Sequence, residues 1–152
     1  MRRSAVALLS AILMVSPAFA APSEVDVMRK VRELTDFFSK GDLTAAASLC
    51  AAQSSVIDDF PPYSWQGTTG CADWARDFDA HTKKLGMTVS KVTLGRARID
   101  VSDNRAYVVV PATLAFKQNG KQLAKQNQIL AVTLNSDGNN WRITGWAWAA
   151  KS

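Results

Sequence analysis

The chain has 152 residues, enough for one domain of ordinary size. Hydrophobic residues make up 47% and charged residues 20%, proportions that exclude disorder and collagen-like structure. Two cysteines and one histidine are too few for a disulfide scaffold, a four-cysteine zinc site or a histidine-rich metal centre, and the formal charge of +5 is modest.

Arg2 and Arg3 open the chain, Ala5 to Val15 form a short apolar run, and Ser16-Pro17 breaks it. Ala18-Phe19-Ala20 then places small residues where a signal peptidase reads. This three-part pattern predicts a signal peptide over residues 1–20, cleaved after Ala20, and a periplasmic or secreted domain over residues 21–152. The apolar run falls short of the about 20 residues that a membrane span needs, so no membrane contact is expected after cleavage. Cleavage removes two arginines and no acids: Lys plus Arg falls from 18 to 16 against 13 acids, and the net charge to +3. The remaining bases are spread along the chain without the clustered stripe that phosphate contacts require, which speaks against a nucleic-acid partner.

Within the mature chain, Ser23 is placed to cap a helix whose buried face is Val27, Val31, Leu34 and Phe38, with Gly41 as its stop. Asp42 caps a second helix, from Leu43 to about Ala52. Ser55 to Phe60 reads as a short strand, ended by Pro61-Pro62, and a loop through Tyr63, Trp65 and Gly67 follows. Thr68 or Thr69 opens a third helix. Its apolar face carries Cys71, Trp74, Phe78, His81 and Leu85, and Gly86 ends it.

The remainder is strand: Thr88–Val101, Arg105–Lys117, Gln122–Asn135 and Asn140–Ala149. The joints are Ser102-Asp103-Asn104 and the two hairpin dipeptides Asn119-Gly120 and Asp137-Gly138, so a four-stranded antiparallel meander is expected. Alternation alone places Gln126 and Gln128 on one face with Leu130, and Trp146 and Trp148 on one face with Trp141 opposite. Three helices followed by a sheet predict an α+β fold with the helices on one sheet face. Export puts Cys50 and Cys71 in an oxidising compartment, where a bridge closing about 20 residues is worth roughly 3 kcal/mol. Two free, buried thiols are the alternative.

Several local phrases resemble those of one family. Gly41-Asp42-Leu43 closes the first helix, Val56-Ile57-Asp58 leads into a loop, and Gly67 precedes a helix bearing Cys71 and Trp74. With the closing Trp141-Arg142-Ile143-Thr144-Gly145-Trp146, their order resembles the nuclear transport factor two-like superfamily, in its SnoaL-like and ketosteroid-isomerase branch. The resemblance spans almost the whole mature chain. It implies a cone-shaped α+β barrel in which three N-terminal helices pack on a curved antiparallel sheet of four long strands and one short one. It also implies a deep pocket, and frequently a homodimer.

By the same resemblance, Asp58 falls where ketosteroid isomerases keep a general-base aspartate. The positions of their oxyanion donors, however, match Leu34 and either Ile129 or Leu130, hydrocarbons that donate nothing. Losing one such donor typically costs about 10²–10³ in rate, so that particular mechanism is not expected here. The candidate catalytic groups are Asp58 and His81; Tyr63, Trp65, Gln128, Leu130 and Trp146 are the candidate ligand contacts. No nucleophile elbow, phosphate loop or metal-ligand spacing is present, and no cofactor is expected. The expected function is binding of a small, largely apolar molecule. The alternatives are a cofactor-free isomerase, dehydratase or hydrolase using Asp58 with His81, and a non-catalytic homodimerisation module.

Overall fold

A computed structural model describes residues 24–138 and 140–150. The signal-peptide segment and the Ser23 cap lie outside the described residues. The elements in order are helices α1 (Glu24–Lys40) and α2 (Leu43–Ser48), strands β1 (Cys50–Ile57) and β2 (Ser64–Gly67), helix α3 (Gly70–Lys84), and strands β3 (Met87–Leu94), β4 (Arg98–Ser102), β5 (Arg105–Gln118), β6 (Lys121–Ser136) and β7 (Trp141–Ala150). Three helices cover one face of a curved, seven-stranded sheet, the α+β architecture expected.

Helix α1 buries Val27, Val31, Leu34 and Phe38 along one stripe. Gly41 ends it at φ 69°: its N–H reaches the Phe38 carbonyl while the Asp42 N–H reaches that of Phe37. These two bonds satisfy carbonyls that the helix leaves open, in a backbone conformation that glycine adopts without strain. The Asp42 carboxylate then caps α2 by accepting from the Ala45 N–H at 3.0 Å.

Helix α2 stops at Ser48 rather than near Ala52. Tertiary pairing overrides the helix propensity of the alanines, because Cys50 already lies beside Ile143 and the Leu49 carbonyl accepts from the Ile143 N–H. The stretch from Ser64 to Gly67, expected as loop, is strand β2, antiparallel to β1.

The sheet runs β2-β1-β7-β6-β5-β3, with β4 also on β5. It is mixed rather than wholly antiparallel, because β1 lies parallel to β7. Hairpin turns report only on neighbours in sequence, and this contact joins strands far apart in the chain.

The expected strand Thr88–Val101 is two strands, divided at Gly95. β4 pairs with Arg105–Val109 and β3 with Ala112–Gln118, so the division falls opposite Pro111. The Pro111 carbonyl accepts from the Gly95 N–H at 2.7 Å, so the β3/β4 side of β5 is also the side on which proline lacks a donor.

Bulges bend the sheet. Ser90 is the extra residue in β3, Gln126 and Asn127 together oppose Thr113, and Thr144 is extra in β7; Asn127 takes φ 57°. Each insertion flips the alternation. Trp141, Ile143 and Trp146 are therefore all buried in the core, not divided between faces, and Gln126 leaves the face that Gln128 shares with Leu130. A disulfide joins Cys50 at the start of β1 to Cys71 in the first turn of α3, with Cα atoms 6.6 Å apart.

Candidate functional site

Between the helices and the concave side of the sheet is a cavity of about 150 Å³. Its walls come from every layer. α1 gives Phe38, α3 gives Trp74, Phe78 and His81, β3 gives Met87 and Val89, and β5 gives Leu114 and Phe116. Lys125 and Gln128 reach it from β6, Trp148 from β7, and Asp58, Asp59 and Phe60 from the β1–β2 loop. The bulge in β6 explains how Lys125 and Gln128, an odd number of residues apart, meet the same space.

Local structure aims the loop. The Tyr63 N–H donates to the Phe60 carbonyl at 2.8 Å and the Asp58 N–H to the Tyr63 carbonyl at 3.2 Å, folding the segment back on itself through a cis Pro61–Pro62 bond. Asp58 and Phe60 thereby turn inward, while Tyr63 remains 58% exposed and outside the cavity wall.

Asp58 is 8% exposed. One carboxylate oxygen accepts from the Trp74 indole N–H at 2.9 Å and the other from the Asp59 backbone N–H at 2.8 Å. Burial pushes this carboxyl up to about 6. The two hydrogen bonds and the Lys125 charge oppose the rise, and the Asp59 charge adds to it. At the mouth, the Lys125 ammonium meets the Asp59 carboxylate at 3.0 Å.

His81 lines the same cavity as Asp58, but no hydrogen bond joins them. The imidazole instead stacks on Phe60, with centroids 4.7 Å apart and planes at 20°. Trp65 stands behind that wall. It packs on Phe60 at 4.9 Å and donates its indole N–H to Asp77 at 2.8 Å. Trp146 packs edge-on to Trp74 at 5.0 Å. Leu130 is fully buried in the core. Of the candidates from sequence, the structure brings Asp58, His81 and Gln128 together around the cavity; Tyr63, Trp65, Leu130 and Trp146 do not line it. Leu34 and Ile129 are also absent from the lining.

Sequence reasoning missed Phe38, Phe60 and Phe116 as cavity walls, and it missed the Asp59–Lys125 pair. Phe78 and Trp74 were legible only as an apolar helix face. The adjacent Asp58-Asp59 pair next to Phe60 was the available signal: two carboxylates beside an aromatic residue at a strand end. Among the described residues, no group of three His, Cys, Asp or Glu side chains is placed to hold a metal ion.

The chain matches no family model and no curated protein. Solved structures do match. Among them are an NTF2-like protein with a cystatin-like fold from Novosphingobium aromaticivorans, at TM-score 0.65 and 13% identity over 83% of this chain and 80% of that one. ActVI-ORFA from Streptomyces coelicolor aligns at TM-score 0.64 and 9% identity, covering 82% and 94%. A protein from Catenulispora acidiphila, solved in complex with S-DNPA, aligns at 0.67 and 7%, covering 82% and 90%. The fold of this chain is therefore the NTF2-like fold.

Proposed function

We propose that this chain is an exported, cofactor-free SnoaL-like domain that holds a small, largely apolar molecule between its helices and its sheet. The observation that carries this reading is the cavity itself, walled by aromatic rings and marked by one buried carboxyl group. A void of about 150 Å³ suits a single aromatic ring, so the ligand is small, or inserts one ring and leaves the rest at the mouth. A protein of the same fold solved in complex with S-DNPA supports the reading, as does the secretory pattern of residues 1–20 for export.

Native mass spectrometry of the chain purified from a periplasm tests it. The expected result is a bound mass that leaves on denaturation. Failure to find one, together with no rise in melting temperature across a panel of small aromatic and aliphatic molecules, would refute the proposal.

One observation favours a second reading, an enzyme without a cofactor. A carboxyl group with its proton equilibrium lifted to about 6, inside a cavity, is suited to take a proton from a bound molecule near neutral pH. In that reading Asp58 is the base, and His81, across the same space, is available to return the proton. Turnover of a candidate substrate that survives Asp58→Asn unchanged removes Asp58 from any such mechanism.

A further inference from the structure

The charges around the cavity do not balance evenly. At the mouth, Asp59 and Lys125 neutralise each other at 3.0 Å. Deeper in, Asp58 has only neutral donors, the Trp74 indole and the Asp59 backbone N–H. His81 is engaged in stacking on Phe60. The Lys125 charge reaches Asp58 only as the weakest of the influences on it, so the group without a direct counter-charge is a buried carboxylate, and it sits among Phe38, Phe60, Trp74, Phe78, Phe116 and Trp148.

An ionised carboxylate out of water is costly unless a counter-charge or further hydrogen bonds reach it. Aromatic rings pack against any apolar ligand, and through their quadrupoles they add an electrostatic attraction that only a cation receives. An anionic ligand would face Asp58 and find the Lys125 ammonium already paired. A neutral apolar ligand would displace water from the carboxylate without replacing its charge.

We propose that the cavity selects small organic cations: a protonated amine pairs its nitrogen with the Asp58 carboxylate while its hydrocarbon body fills the aromatic-walled space. The inference rests on the reading that the cavity is a ligand site, and it names the ligand class. Burial leaves the Asp58 carboxyl at about 6, so most of it is ionised at pH 7.5 and available to an amine.

Three probes of one shape test the claim by isothermal titration at pH 7.5: benzylamine, benzyl alcohol and benzoate, each a single ring carrying a positive, neutral or negative group. Benzylamine should bind at least tenfold more tightly than benzyl alcohol, and benzoate most weakly. Asp58→Asn should bring the amine to within about threefold of the alcohol, the loss expected when an ion pair becomes a neutral contact. Lys125→Ala frees the Asp59 carboxylate at the mouth and should tighten the amine a few-fold; a weakened amine there counts against the proposal. If the alcohol binds as tightly as the amine, or benzoate binds best, the cation inference fails while the cavity stands as a ligand site. If none of the three binds, the cation inference fails, and the ligand-site reading falls with it when native mass spectrometry also finds no bound mass.

Discussion

Replacing Asp58 by asparagine should make the protein more stable at neutral pH and less stable in acid. The isolated carboxyl titrates at 3.8 and the folded one at about 6. Between those values the folded state keeps a proton that the unfolded state has released, so stability falls as pH rises through this window and stays low above it. A rise from 3.8 to about 6, at about 1.4 kcal/mol per unit, puts the loss at roughly 3 kcal/mol. Asparagine has the same shape and no charge. It can still accept from one of the two donors, Trp74 or Asp59, and the loss of the other bond costs about 1 kcal/mol.

The variant should therefore be about 2 kcal/mol more stable than the parent at pH 7.5, a melting temperature higher by roughly 6 °C for a domain of this size. Near pH 4, where the unfolded carboxyl is already about half ionised, it should be about half a kcal/mol less stable, and near pH 3 about 1 kcal/mol less stable. Urea unfolding followed by tryptophan fluorescence, at several pH values on both proteins, isolates the effect, because titrating groups that do not interact with Asp58 cancel in the difference, leaving only Asp58 and its coupling to Asp59 and Lys125. A difference that does not change sign between pH 4 and 7.5 would refute the reasoning, since it would mean that the carboxylate is as well solvated folded as unfolded.

The other predictions follow from the same geometry. Trp74→Phe removes the indole donor that holds the Asp58 carboxyl down, so the upper end of the pH window for unfolding should move above 6; an unmoved window would show that the hydrogen bond has no influence on Asp58. Reducing the Cys50–Cys71 bridge, 21 residues apart, should lower unfolding stability by roughly 3 kcal/mol, read as a drop in urea midpoint with and without reductant. A Cβ at Gly145 would press on the Ser55 carbonyl across the parallel β1–β7 pairing, so Gly145→Ala should cost about 1–3 kcal/mol in the same assay. An unaffected midpoint would mean that β1 and β7 separate easily.

Local signals were legible wherever a single element or turn decides the geometry. The 3.6-residue stripe of Val27, Val31, Leu34 and Phe38 is the buried face of α1, because a helix of that length can hide its apolar residues in only one way. Asn119-Gly120 and Asp137-Gly138 mark the two hairpin ends of the long strands, with Asn119, Gly120 and Gly138 all at positive φ. What could not be read was decided between elements. The parallel contact of β1 with β7 has no local code, and it both ended α2 early and made the sheet mixed.

The bulges explain why the cavity was less legible than the fold around it. A period of two assigns faces only while a strand stays regular, and Ser90, the Gln126–Asn127 pair and Thr144 each reset the count. Read without them, Trp141 faces away from the core and Gln126 joins Gln128; with them, Lys125 takes the place beside Gln128 and closes on Asp59. The same insertions bend the sheet around the helices, and the curvature leaves space between the layers where a flat sheet would pack against α1 and α3. The features that obscure the site in the sequence are thus the ones that create it, and Asp58 escaped this only because it lies at the end of β1, in a loop where no alternation applies.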